Sequence, residues 1–138
     1  MMLLINCLIV AIVVLIHYEF LYRFTQMIPK MKIRHRFRVV ASVFSALIAH
    51  TIEIFIFAVA YYFLHQSGDW GYLSGNFNGS MMDCVYYSFT IFTTLGFGDI
   101  IPRTTTAAMG VTMEVILGYI MLGGLITIFA SKLSRRGG

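Results

Sequence analysis

Three apolar stretches, residues 3–22, 39–64 and 106–131, constrain this chain more than anything else in it. Each has about 20 residues or more, and at ~1.5 Å per helical residue each reaches across a ~30 Å hydrocarbon layer. Composition makes the same demand. Hydrophobic residues are 59% of the 138, and the mean hydropathy is +0.82. A soluble domain of this length has too little interior to hide so much apolar surface, because small domains bury only a modest fraction of what they expose. Lipid is therefore the expected solvent, and the fold class is an all-α membrane protein.

Charge orients the spans. Nine of the ten Lys and Arg residues fall in two clusters beside apolar stretches: Arg23, Lys30, Lys32, Arg34, Arg36 and Arg38, then Lys132, Arg135 and Arg136. That is the positive-inside pattern, with the N-terminus outside, the C-terminus cytoplasmic and the chain multi-pass in a plasma or inner cell membrane. It also accounts for the net charge of +4 without a nucleic-acid partner. A secretory leader has the reverse charge order, so residues 1–36 read as a retained helix and a basic cytoplasmic loop, broken at Pro29 and suited to anionic lipid headgroups. His17 and Glu19, near the inner end of this span, need no more than snorkelling or pairing with loop arginines. Cys7 and Cys84 lie in apolar surroundings and read as buried packing residues.

The second stretch, residues 39–64, runs from inside to outside. Ser42, Ser45, His50 and Glu53 show that one of its faces does not meet lipid. Residues 65–79 are turn-rich, with Gly68, Gly71, Gly75, Asn76, Asn78 and Gly79. Trp70 and Tyr72 suit an interfacial aromatic belt. Residues 80–92 are too short to span. Ser80 with Asp83 three positions later signals a helix start. A helix of this length followed by Thr93, Thr94, Leu95, Gly96, Phe97, Gly98 and Asp99 reads as a re-entrant segment, since irregular backbone at membrane depth is tolerated only when protein buries it or it lines a watery cavity. Glycines flanking a single residue let the backbone alternate in handedness. Successive carbonyl oxygens then turn to one side, where they can replace the water shell of a bare cation.

Thr94-Leu95-Gly96-Phe97-Gly98 resembles the selectivity-filter signature of potassium channels, T-x-G-[Y/F]-G. Tyr86-Tyr87-Ser88-Phe89-Thr90-Ile91-Phe92-Thr93 resembles the pore helix before that filter, Asp99 the acidic residue after it, and Pro102 falls in the outer turn. The resemblance covers roughly residues 37–132. It implies a pore domain over residues 37–138, with outer helix 39–64, pore helix 80–92, filter 94–98 and inner helix 106–131, joined to one further transmembrane helix. Three transmembrane helices plus the re-entrant element then assemble as a homotetramer, because one chain supplies one filter strand. By the same resemblance the carbonyls of Thr94, Leu95, Gly96 and Phe97, with the Thr94 hydroxyl, line successive K+ sites, and the Gly98 carbonyl faces the outer mouth. K+ is the permeant ion and no cofactor is expected.

Two departures bear on how firmly such a filter is held. Phe97 lacks the hydroxyl of the commoner Tyr. Thr90 stands where some members carry a carboxylate that pairs with the residue matching Asp99, so Asp99 needs another donor, for which Tyr87 is the candidate; Thr93 is a further support. Gly118 falls where several members have a glycine hinge in the inner helix, and close packing is an equal alternative. Gly123 and Gly124 read as packing. Ionisable groups inside a membrane are costly and normally paired or functional. His50 and Glu53, on one helix face, and Glu114 therefore read as mutually paired groups, as groups bonded to pore-helix hydroxyls, or as a pH-sensing site. A potassium-selective channel is the leading reading and a non-selective cation channel of the same architecture the alternative. A membrane metalloenzyme built on His17, Glu19, His50 and Glu53 leaves the Gly-Phe-Gly segment unexplained, and a purely accessory subunit leaves the intact filter unexplained. No helix carries an arginine at every third position, so no voltage sensor is expected.

Overall fold

The computed structural model describes residues 2–27, 30, 34–68 and 73–134, with side chains as far as Met121 and at Gly124, those of residues 2, 3, 25 and 35 left aside. Pro29, Lys32, Gly71, Trp70, Tyr72, Asp69, Arg135 and Arg136 lie outside the described residues, as do the side chain of Lys132 and the surroundings of Gly123. The elements in order are α1 (Met2–Met27), α2 (His35–Ser67), β1 (Leu73–Gly75), α3 (Met81–Phe92), β2 (Ile100–Pro102) and α4 (Thr105–Ser134).

Two stretches are long and apolar enough to cross a membrane, Leu4–Phe24 in α1 and Arg36–Ser67 in α2; the described apolar part of α4, Thr105–Met121, is shorter. Only 17% of the α1 window is buried within the chain. Its outward face carries Leu4, Leu8, Leu15 and Tyr18. In water that face would be polar, so the inversion identifies lipid as the solvent of this helix. Cys7, expected to be buried, is exposed on α1: an apolar neighbourhood in sequence does not distinguish a protein-facing from a lipid-facing position.

α2 exceeds the expected 39–64 at both ends. No Gly or Pro interrupts residues 35–67. The helix stops at Gly68, whose φ of 72° is left-handed and whose N–H donates to the His65 carbonyl, the backbone form that glycine adopts without a Cβ penalty. Its 33 residues measure about 50 Å, so α2 tilts in the bilayer or protrudes from it. α4 likewise starts one residue before the expected 106–131 and ends three after it.

The loops around α3 hold structure that sequence patterning did not reveal. β1 and β2 pair antiparallel, with Leu73 opposite Pro102, Ser74 opposite Ile101 and Gly75 opposite Ile100. Gly75 has φ 100°, and a Cβ there would collide with the Asp99 carbonyl oxygen, so this register needs glycine. The same carbonyl accepts the Asn76 N–H at 2.8 Å, and Arg103 Nε donates to Ser74 Oγ at 2.6 Å. The chain entering α3 and the chain leaving residue 98 are thereby tied together.

The core lies where α3 meets α2 and α4. Phe57, Tyr61, Cys84, Tyr87, Phe92 and Leu117 are among its buried members. α1 packs on the outside of this hairpin, against both α2 and α4.

Candidate ion-conducting site

The site begins with the start of α3. Ser80 is its N-cap: its side-chain oxygen accepts the Asp83 N–H at 3.1 Å, while Asp83 Oδ2 accepts the Ser80 N–H at 3.3 Å. This reciprocal capping box satisfies two of the helix's orphan donors. The Asn78 N–H, at 2.8 Å from the same oxygen, holds the Asp83 carboxyl below its ordinary range, with Ser80 adding to the effect. The sequence signal for this helix start is thus realised in detail.

At its other end α3 runs directly into the glycine-rich segment. Thr93 is the C-cap, and its hydroxyl donates to the Phe89 carbonyl at 2.6 Å. The Thr94 N–H donates to Ile91 O at 2.9 Å and the Gly96 N–H to Thr90 O at 3.0 Å, so the segment is bonded to the last turn of α3. φ is positive at Thr94 (62°), Gly96 (49°) and Gly98 (77°), and negative at Leu95 and Phe97 between them. Handedness therefore alternates residue by residue, the pattern that turns successive carbonyls to one side. Positive φ costs a β-branched residue of order 1–3 kcal/mol, and the two hydrogen bonds to α3 hold Thr94 there. The C-terminal end of a helix carries partial negative charge, and residues 94–98 follow that end of α3, where a cation is favoured over an anion.

Residues 93–98 are exposed in the single chain, including Leu95 at 63% and Phe97 at 67%. The segment is thus left uncovered by the rest of the chain.

Asp99 finds its donor, but not the expected one. Tyr86 Oη donates to Asp99 Oδ2 at 2.8 Å. Tyr87 is turned inward, 1% exposed, its ring edge-on to Tyr61 with centroids 5.4 Å apart, and its hydroxyl has no partner among the described residues. Adjacent helix positions differ by about 100° around the axis. Either Tyr was eligible from the sequence, and the rotation of α3 decides between them. Thr90 is buried and donates to its own helix at Tyr87 O, 2.8 Å, so it takes no part in holding Asp99.

Behind α3 lie two buried polar clusters. Glu114 of α4 is fully buried. It accepts from Tyr61 Oη of α2, and its Oε1 is 2.6 Å from Ser88 Oγ of α3, which also lies 2.9 Å from the Ile54 carbonyl. Three helices meet at this carboxyl group; Ser88 is a pore-helix hydroxyl of the kind expected to bond it, whereas Tyr61 is a partner that sequence spacing did not supply. Glu53 pairs with His50 as expected, Oε2 to Nδ1 at 3.0 Å. It is also bonded to His17 of α1, Oε1 to Nδ1 at 2.6 Å. His17 was expected to need only snorkelling or loop arginines; the structure places it in the interior because its face of α1 lies on α2. Glu19 pairs with an arginine of the first basic cluster as expected, Arg23 at 2.6 Å, one turn on in the same helix.

Gly118 packs directly against the end of α3. A Cβ there would lie 2.5 Å from the Phe92 carbonyl oxygen. The close approach of α4 to the base of α3 depends on this glycine, which is the packing role.

Membrane helices that enclose a short capped helix and a segment of alternating handedness define a pore-loop ion channel. A family model described as Ion channel matches residues 49–135, well over half of the sequence, and the chain belongs to that family. The resemblance carried by residues 86–99 is borne out at the level of the family. A stretch of 43 residues, 31% of this chain, is 35% identical to the potassium channel protein Kcv of Paramecium bursaria Chlorella virus 1, and it spans 46% of that protein, less than half its length. No solved structure matches the chain.

Proposed function

We propose that the chain is the subunit of a potassium-selective channel that conducts K+ passively through a homotetrameric pore. The observation that carries this reading is the alternation of φ at Thr94, Leu95, Gly96, Phe97 and Gly98, immediately after a capped helix too short to span. Four such strands around an axis give stacked rings of carbonyls at the spacing of one residue, with the Thr94 hydroxyl at the inner end. Assembly would also cover the exposed side chains of Leu95 and Phe97. The similarity to a protein named as a potassium channel supports the choice of ion.

In this reading α1, α2 and α4 all span, α3 is re-entrant, and residues 37–138 form the pore domain. The two basic clusters support a cytoplasmic C-terminus and an outer N-terminus in a cell membrane. The basic loop then meets anionic lipid. The second reading, a non-selective cation pore, is favoured by one observation: the exposed Tyr86–Asp99 bond stands where Phe97 and Thr90 contribute no brace. Reversal potential in planar bilayers, with K+ on one side and Na+ on the other, separates them. A reversal near the potassium equilibrium potential is the expected result. A reversal near zero with robust current would replace the first reading by the second.

A further inference from the structure

We propose that His17, His50 and Glu53 form a binding site for a borderline transition-metal ion of the Zn2+ class, joining α1 to the hairpin of α2, α3 and α4. One ligand atom from each residue converges so that all lie within 4.8 Å of one another, and all three residues are buried. Glu53 is the bridge, at 2.6 Å from His17 Nδ1 and 3.0 Å from His50 Nδ1. Ligand atoms bound tetrahedrally at ~2.0–2.2 Å from zinc stand roughly 3.3 Å apart, so small side-chain rotations convert this cluster into a three-ligand site with a fourth position open. Two imidazoles and one carboxylate suit Zn2+, Co2+ or Ni2+, whereas Ca2+ and Mg2+ prefer all-oxygen shells.

The surroundings supply a reason for a metal. Glu53 is 0% exposed, and its ion-pair partners among the described residues are the two imidazoles alone. A carboxylate at membrane depth needs a cation, and a bound metal ion supplies one. The location gives the ion leverage. The rings of His17 and His50 are stacked at 5.4 Å, and His50 is in turn 5.4 Å from the ring of Phe92, the last residue of α3. An ion here fastens α1 at the level from which residues 94–98 depart.

The test is Zn2+ binding by the full chain, purified with a histidine-free tag, stripped with a chelator and titrated by equilibrium dialysis with metal analysis. One Zn2+ per chain is expected. His17→Ala and His50→Ala are each expected to weaken binding at least about tenfold, the lower end of what losing even an outer-shell partner costs, while His65→Ala leaves it unchanged. Absence of saturable binding, or wild-type affinity in either the His17→Ala or the His50→Ala protein, overturns the proposal. X-ray absorption at the zinc edge of the loaded wild-type protein gives a reading that needs no variant. Imidazole scattering from two ligands supports the site, and its absence overturns it. Neither readout depends on current, so the outcome is separate from that of the reversal-potential experiment.

Discussion

Replacing Gly118 by Ala puts one methyl group where the structure has no room for it. The added Cβ would stand 2.5 Å from Phe92 O, 3.3 Å from Phe92 C and 3.4 Å from Phe92 Cγ. The nearest of these is backbone, held by the end of a helix, so no side-chain rotation relieves the contact. α4 and the base of α3 have to separate by about 0.9 Å to restore an ordinary 3.4 Å contact. Overpacking of this kind costs about 1–3 kcal/mol, and the better helix propensity of Ala returns up to about 1 kcal/mol. The net expectation is a loss of up to about 2 kcal/mol per chain. Gly124 is the internal control: an added Cβ there meets nothing within 4 Å among the described residues, so Gly124→Ala is expected to keep only the propensity gain. Thermal unfolding of the two variants beside wild type, in one detergent, reads the difference. A lowered midpoint for Gly118→Ala and an unchanged or raised one for Gly124→Ala is expected. A Gly118→Ala protein as stable as Gly124→Ala would refute the packing argument and return Gly118 to the hinge role.

Further expectations concern the ends of α3. Ser80→Ala removes the capping box and is expected to cost about 0.5–2 kcal/mol, read as a lower unfolding midpoint. The Asp83 carboxyl is held below its ordinary range by the Asn78 N–H, so its contribution is present above the usual carboxylate pKa of about 4 and is lost as pH falls through the lowered value. The midpoint difference between wild type and Asp83→Ala is therefore expected to be flat from about pH 5 to 8 and to shrink only below about pH 4; a difference that vanishes by pH 6 would contradict the assignment. Tyr86→Phe deletes the hydroxyl that holds Asp99 and is expected to remove on the order of 1 kcal/mol of support, seen as faster decay of current in bilayers. Tyr87→Phe deletes a hydroxyl without a partner among the described residues and is expected to leave the decay unchanged. The opposite ranking of the two would show that the wrong Tyr has been assigned to Asp99.

The sequence by itself determined what depends on local rules and on solvent. Apolar length and the placement of Lys and Arg require a membrane, because hydrocarbon tolerates few unpaired polar groups. Ser80 and Asp83 fix the start of α3, because a capping box is closed within four residues of chain. Gly96 and Gly98 announce alternating backbone, because only glycine adopts either hand freely. Tertiary structure decided whatever depends on which face of a helix meets which neighbour. His17 lies 36 positions from Glu53, Tyr61 lies 53 from Glu114, and no spacing rule connects them. Tyr86 rather than Tyr87 reaches Asp99 because of the rotation of α3, and Cys7 faces outward because of the rotation of α1. The pairing of β1 with β2 spans three residues on each side, too few for an alternation pattern to register. Helical periodicity fixes the angle between residues on one helix; only packing fixes that helix's rotation against its neighbours, and the buried contacts of this protein are set by the second quantity.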